Sequence, residues 1–561
     1  MYIRLSKGST GKFTKVYLVE GYRDENGKSK QRIIKKYGNL EELQKKDPNI
    51  LEKLKAEAKK IPKNTVYVEL NLNDLNIDME KDKNYGYFFL EQIYKKLEID
   101  TFLKKISSKS NYKYDLNEIM KLLVYGRILN PASKKTTVKH QDEYFEEFNV
   151  TLDSVYDSLT EFDEIKEDLQ FHLNEKVTEI YGRDATLVFY DVTNYYFAIE
   201  KEDELKRNGV SKEKRKTPIV QMGLLIDNNG LPIAYKLFSG NTSDISTLIP
   251  FLQDMREKYK LGRIILTADK GLNSGKNLCY LKQQNDGYIV SQKVRGAKKA
   301  FKEKVLEEKG YKYNKSGTFK IKSFLQERKV KNENGEKEIL KEKVVCFWSK
   351  NYDDREKNKR EKLEIRIKEY LNNPSKFKSS NKYGVKKYIK EHNVDETTGE
   401  IQDGKTVLKF DNDKYENDLA LDGYYAIITS ELNLNEKEVI EKYRGLWKIE
   451  ESFKVIKSDL QGRPVYVRNN DHVEGHFLIC FIALLITRIL ELELNHKYSI
   501  RKIQEALKNA TCRKIERGIY SLNKQDKVFR EIEKKYSVEL NYKYIRLEQL
   551  RSYKKDIIHN V

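Results

Sequence analysis

Cysteine is scarce in this chain of 561 residues: Cys279, Cys346, Cys480 and Cys512 are the four, far apart and with no CxxC pair. That pattern excludes a zinc knuckle and a disulfide framework, and it fits a reducing cytoplasm, the compartment expected for the protein. Histidine is as thin. Of the seven, only His472 and His476 stand at helical i,i+4 spacing; with no glutamate beside the first and no third ligand nearby, the pair reads as structural. Long apolar runs are missing too. The longest, residues 477–486, is too short to span a bilayer and runs into Thr487 and Arg488, so it predicts a buried core helix. The opening Met-Tyr-Ile-Arg-Leu-Ser-Lys has no apolar stretch of the signal-peptide kind, and no internal repeat is evident.

What is abundant is charge and tyrosine. Charged residues make up 35% and hydrophobic ones 39%, with 38 Tyr and 22 Phe, which excludes a disordered chain and predicts a folded globular one. The length predicts roughly three or four domains. Lys and Arg outnumber Asp and Glu by 108 to 87, a net charge of +21. Such an excess points to a polyanionic partner, nucleic acid first among them.

Strand-like alternation at residues 15–22 and 31–37 flanks Asp24-Glu25-Asn26-Gly27, a tight-turn signal, so residues 1–75 read as a basic β-hairpin region with one more strand at 64–72. Residues 76–185 read as helical and DNA-binding or scaffolding, with Asp115 and Glu118 forming a capping box. The texture changes at 186. A β-branched and aromatic stretch, 186–197, carries one carboxylate, Asp191; two strands at 219–226 and 231–238 are joined by Asp227-Asn-Asn-Gly230; a helix runs from 247 to 259; and a buried strand ends in Asp269. With a strand at 287–294 this makes a mixed α/β sheet, residues 186–294. The charged stretch 200–216 inside it reads as mobile. Residues 295–422 are Lys-rich and partly β, an insertion. Residues 423–498 return to the sheet through a strand at 423–429, and 499–561 form a basic α-rich tail.

Residues 436–461 predict one long helix. Val439, Ile440, Tyr443, Leu446, Trp447, Glu450, Phe453 and Lys457 recur at three- and four-residue steps, so a Tyr, a Glu and a Lys share a stripe with the apolar residues. A carboxylate there calls for a cation, a metal ion or a cleft. Asp191, Asp269 and Glu450 together supply three carboxylates from separate elements of one sheet-and-helix unit, the oxygen-rich set that divalent cations need for phosphoryl transfer.

These segments resemble the insertion-sequence transposases of the DDE class, with their RNase H-like catalytic domain and the signature Tyr, two residues, Arg, three residues, Glu, six residues, Lys. Tyr443, Glu450 and Lys457 fall at those spacings, while Leu446 stands at the Arg position and Arg444 lies nearby. Tyr190-Asp191-Val192-Thr193 and Ala268-Asp269-Lys270-Gly271 are similar to the family's two aspartate segments. The resemblance implies that Asp191, Asp269 and Glu450 hold Mg2+ or Mn2+, two ions; Glu451, next to Glu450 and so about 100 degrees away around the helix, is the weaker ligand. It implies cleavage of double-stranded DNA at the inverted repeats of a mobile element and joining of the 3′ ends to target DNA. Tyr443 and Lys457 would contact phosphates, with Arg444 a further DNA contact. Trp447 reads either as a stacking platform for a flipped base or as core packing, and Asn241 and Asp244 either as site supports or as helix-capping residues. Two transposon ends predict a homodimer on DNA. A nuclease or resolvase of the same fold, and a non-catalytic DNA-binding protein, are the alternatives.

Overall fold

The computed structural model describes residues 1–7, 13–23, 29–61, 81–109, 112–198, 200–212, 216–259, 262–374, 384–394, 405–516 and 518–559. They form two compact units. The first comprises residues 1–81, 513–521 and 544–547, and the second the rest of the chain.

In the first unit, β1 (Tyr2–Lys7), β2 (Thr14–Arg23) and β3 (Ser29–Asn39) make an antiparallel sheet in that order, followed by α1 (Leu40–Lys46) and α2 (Ile50–Lys60). The alternating sequence predicts a hairpin; β1 adds a third strand to it. The turn expected at 24–27 and the strand expected at 64–72 lie outside the described residues.

The second unit opens on β4 (Lys83–Asn84), paired with Thr511 and Cys512, and on five helices: α3 (Tyr87–Lys96), α4 (Ile99–Ser107), α5 (Leu116–Leu129), α6 (Lys134–Lys139) and α7 (Leu152–Tyr181). Asp115 does cap α5, accepting from the backbone N–H groups of Asn117 and Glu118, but the box is not reciprocal: the Glu118 carboxylate accepts instead from the Asn149 N–H.

The elements that carry the candidate site follow. They are β5 (Leu187–Tyr196), β6 (Ile219–Ile226), β7 (Pro232–Ser239), α8 (Asp244–Tyr259), β8 (Ile265–Ala268), α9 (Gly275–Gln283) and β9 (Gly287–Gln292). Next come α10 (Lys299–Leu306), β10 (Lys312–Tyr313), β11 (Phe319–Lys331), β12 (Lys337–Ser349), α11 (Lys350–Asn372), β13 (Ile389–Val394), β14 (Lys405–Phe410), α12 (Asn412–Leu419) and β15 (Tyr424–Thr429). Nine strands make one mixed sheet in the order β10-β11-β12-β15-β9-β8-β5-β6-β7. β5, β6 and β7 are antiparallel neighbours, while β5, β8 and β9 run parallel. The segment that reads as an insertion is therefore partly an extension of this sheet: β12 and β9 both pair antiparallel with β15.

Strand alternation gives β5 two different faces. Val188, Tyr190 and Val192 pack with Leu248 and Leu252 of α8 and Leu278 of α9. The opposite face meets the helices that come after β15: α13 (Glu436–Arg444), α14 (Trp447–Lys454) and α15 (Asn470–Glu493). Tyr195 lies against Phe477, with ring centroids 4.8 Å apart, and Tyr235 of β7 against Phe481 at 5.3 Å. By length and composition α15 is apolar enough to cross a membrane, yet 94% of its most apolar window is buried inside the protein. It is the core helix that the apolar run predicts, each large side chain contributing about 1.5–3 kcal/mol by burial.

The long helix expected over 436–461 is three pieces. α13 stops at Arg444; Leu446 and Ile449 donate to carbonyls three residues back, tightening the chain at Gly445; and α14 gives way to a π-helical turn, Val455–Asp459. A straight stripe of Tyr443, Glu450 and Lys457 is thereby broken. Gly445, at the first break, lies close against the sheet: a Cβ on it would collide with Cζ of Phe189 and sit 2.8 Å from its Cε1. Gly445→Ala should therefore cost about 1–3 kcal/mol by overpacking. The measurement is a thermal melt of the full chain, in which an unchanged midpoint would show that α14 yields without loss.

Candidate active site

Register along the parallel strands explains how the two aspartates meet. Phe189 is level with Thr267, and Ala268 with Val290. Two residues on from the first pair, the same alignment brings Asp191 level with Asp269, and one residue on from the second it brings Asp269 level with Ser291. Neighbouring strands are roughly 4.8 Å apart, so Asp191, Asp269 and Ser291 form a row across the carboxyl ends of β8 and β9. The Ser291 hydroxyl donates to Asp269 Oδ1 at 3.2 Å.

The position of Glu450 follows from what flanks Asp191 on its face of β5. Phe189, two residues before, abuts Gly445. Thr193, two residues after, accepts a hydrogen bond from Lys457 Nζ at 2.6 Å. Asp191 lies between those two contacts and so faces the intervening helix, α14, which carries Glu450. All three carboxylates line one cleft of about 550 Å3, together with Asp244, Lys212 and Lys457. Glu451 is elsewhere: its carboxylate accepts from Arg488 of α15 at 3.2 Å, while Arg488 also donates to Ser452 Oγ at 3.0 Å. These bonds, with Lys448 donating to the Asn228 carbonyl at 2.6 Å, fix the rotation of α14 and leave Glu450 exposed to the cleft.

Charge in the cleft is only partly balanced. Burial pushes the Asp191 carboxyl up to about 6; the Lys212 ammonium pulls the other way, and Asp269 and Asp244 add to the rise. Burial likewise brings Lys457 down to about 8, helped by the like charge of Lys212 and opposed by Asp191. Lys212 donates to the Val192 carbonyl at 2.7 Å, so two lysines flank Asp191.

The other expected site residues divide. Asp244, the first residue of α8, lines the cleft, whereas Asn241 does not and accepts from the Ser239 hydroxyl at 2.8 Å. Tyr443 is not on the cleft wall. Its hydroxyl lies 3.4 Å from that of Tyr425, and burial holds it well above its ordinary pKa. Trp447 is 56% exposed, which removes core packing as its role, and Arg444 is exposed and does not line the cleft. Leu446 itself is buried on the cleft wall. His476 is structural: its Nε2 lies 3.2 Å from the Gly462 carbonyl oxygen and its Nδ1 3.4 Å from Lys134 Nζ.

Lys212 and Arg463, both on the cleft wall, were not legible in the sequence. Lys212 belongs to a stretch whose charge density reads as mobile, but its described part, residues 200–212, is docked. Buried Lys206 donates to the Arg468 carbonyl and to Asn470 Oδ1, both at 2.6 Å. The signal available was one lysine in a lysine-rich run, which nothing distinguishes.

The donor set suits a hard divalent cation. Two carboxylates on adjacent strands repel each other, and the burial that raises the Asp191 carboxyl makes its ionised form costly unless a cation joins it. Among the described residues no three His, Cys, Asp or Glu side chains are already gathered around one point; Asp191 and Asp269 would supply one wall of ligands and Glu450 the other. Titration calorimetry with Mn2+ alone should show binding that Asp191→Asn abolishes and Glu451→Gln leaves within about twofold, the size expected for removing a charge that touches no ligand. Equal loss in both variants would move the site.

A mixed α/β fold with opposed carboxylates on a sheet end and a following helix defines a class of phosphoryl-transfer enzymes, and the sequence comparisons narrow it. The model of the transposase DDE domain matches residues 186–486, more than half of the chain, and that of the IS1634 family transposase N-terminal domain matches residues 3–65. The chain belongs to the DDE transposases of insertion elements, and the enzyme is a DNA transposase. Among solved structures it is similar to the piggyBac transposase synaptic complex with hairpin DNA, at 9% identity, covering 84% of each chain with a TM-score of 0.34. It is also similar to the Mos1 transposase paired-end complex with left transposon end, at 16% identity, covering 32% of this chain and 59% of that one with a TM-score of 0.14. Both scores are too low to bear on the fold, and the family rests on the two sequence models. No curated protein matches the chain.

Proposed function

We propose that this transposase binds the inverted-repeat ends of its element as double-stranded DNA, cuts them by metal-dependent hydrolysis at Asp191, Asp269 and Glu450, and joins the freed 3′ ends to target DNA. The observation that carries this is the opposition of Asp191 and Asp269 to Glu450 across one cleft. An RNase H-like core is the matching reading of the fold: β7-β6-β5-β8-β9 is an order of third, second, first, fourth and fifth strand, antiparallel in the first three and parallel thereafter.

Two divalent cations, Mg2+ or Mn2+, would supply activation of the attacking oxygen and offset charge on the leaving one. The chain's own residues do the rest. Lys457 and Lys212 flank Asp191 and attract the phosphate on either side of the cut as point charges, so that Lys212 supplies a cation where Leu446 supplies none. Ser291 holds Asp269 in place by its hydroxyl. Arg444 and Trp447, exposed at the end of α13 and the start of α14, contact DNA beyond the cleft, and Tyr443 packs its ring behind it. The working assembly is a homodimer holding two ends, acting in the cytoplasm.

Cleavage of end duplex in Mg2+ tests the reading. Asp191→Ala, Asp269→Ala and Glu450→Ala should each abolish cutting while leaving end binding and melting largely intact, and Glu451→Ala should still cut. Lys212→Ala should slow cutting and reduce the log-log salt slope of end binding by about 0.9, the loss of one phosphate contact. Normal cutting by the Glu450 variant would reassign the third carboxylate.

A further inference from the structure

A chain of polar contacts runs from the sheet extension to the Asp269 carboxylate. It starts at Glu342 of β12, which is fully buried. Three donors converge there: Tyr288 Oη and Arg328 Nη2 reach Oε1, and Gln326 Nε2 reaches Oε2, each at 2.8 Å. The other arm of the Arg328 fork, Nη1, donates to Asn273 Oδ1 at 3.1 Å. A guanidinium can only donate, which settles the Asn273 amide: its oxygen faces Arg328 and its nitrogen faces the opposite way. That nitrogen donates to the Ser291 carbonyl at 3.0 Å and to Gln292 Oε1 at 2.9 Å, and the hydroxyl of the same Ser291 donates to Asp269. β11 can come this near because Gly275, at the start of α9, has no side chain; a Cβ there would sit 2.9 Å from Cβ of Val330.

We infer that Asn273 and Arg328 are positioning residues for metal capture at Asp269, and that through them β11 and β12 hold the turn after β8 against the end of β9. Asp269 is one residue past β8, whose pairing with β9 ends at Ala268 and Val290, so the strand ladder does not hold it. Asp191 one strand away repels it, and before a cation binds, that repulsion favours swinging the turn off the sheet end. Asn273 opposes the swing by gripping the β9 backbone at Ser291, the residue that also orients the carboxylate. The fold alone gives little reason for this arrangement, because a buried ion pair such as Arg328 with Glu342 stabilises no better than an apolar pair of like volume, and it does not require a second arm on Asn273. Groups that orient a metal ligand do have a measurable effect, about 10–100-fold in affinity. The inference rests on the reading of Asp269 as a metal ligand.

The test is titration calorimetry of the full chain with Mn2+ alone, well below the melting midpoint of each variant. Asn273→Ala and Arg328→Met should each weaken Mn2+ binding about tenfold or more. The double variant should bind within about twofold of the weaker single one, because the two residues act through one chain of contacts. Arg328→Lys keeps a cation beside Glu342 but lacks the second arm, so it should melt closer to the wild type than Arg328→Met and still lose Mn2+ affinity as that variant does. A role confined to the fold would lower the melting midpoints and leave Mn2+ affinity within about twofold of the wild type; that result, or losses that multiply in the double variant, would overturn the inference. Should Arg328→Met fail to fold, Asn273→Ala, at a half-buried position, decides alone. Asp269→Asn separates the two readings. Mn2+ binding that survives in it removes Asp269 as a ligand, whereas binding lost there and unchanged in Asn273→Ala overturns only the positioning.

Discussion

The parallel register of β5, β8 and β9 is the constraint from which the rest of the site follows. It sets Asp191 beside Asp269 at the end of the sheet, two like charges one strand apart, and everything around them reads as a partial answer to that repulsion. Ser291 donates a hydroxyl to one aspartate, and Lys212 and Lys457 stand on either side of the other. The answer is incomplete, because burial and the neighbouring acids still raise Asp191 to about 6. A buried carboxylate is costly to ionise unless a cation joins it, and a site lined with oxygen donors is one that a divalent cation completes.

The helix that supplies the third carboxylate is shaped by the sheet beneath it. Phe189 fills the space a side chain would need at Gly445, where the chain tightens and α14 starts afresh. Arg488 and Lys448 then set its rotation, holding Glu451 toward α15 and leaving Glu450 to the cleft. The π-helical turn after α14 inserts a residue's worth of extra rotation where Lys457 must reach back to Thr193. Such turns are often found at functional sites, since they re-aim a side chain without ending the helix.

Much of this was legible in the residues themselves. β-branched and aromatic runs located β5, β6 and β8, and Asp227-Asn-Asn-Gly230 located the hairpin, because each of those signals is local; the three carboxylates were singled out as candidates, and the structure places them on one cleft. The break at Gly445 was not legible, since the periodicity of Val439, Tyr443, Leu446 and Glu450 is that of an unbroken helix, and the neighbour that requires a glycine there is a phenylalanine some 250 residues earlier. Trp447 was ambiguous for the same reason: its spacing suits a core position, and only the packing leaves it exposed. Lys212 was hidden by composition, because in a lysine-rich chain a charged run reads as solvent-facing whether or not it docks, and the partly β reading of residues 295–422 did not say that β11 and β12 extend the main sheet. The pairing of β12 with β15 is a long-range choice that no window of sequence contains.

The central claim is that cations held by Asp191, Asp269 and Glu450 touch the phosphate at the cut. A sulfur atom in place of a non-bridging oxygen at that phosphate tests it most directly, because sulfur binds the hard Mg2+ poorly and the softer Mn2+ better. The account predicts that end DNA carrying the phosphorothioate is cut slowly in Mg2+ and that Mn2+ restores the rate. Cutting of the sulfur-containing and normal ends at equal rates in both metals, or in the presence of a chelator, would contradict it.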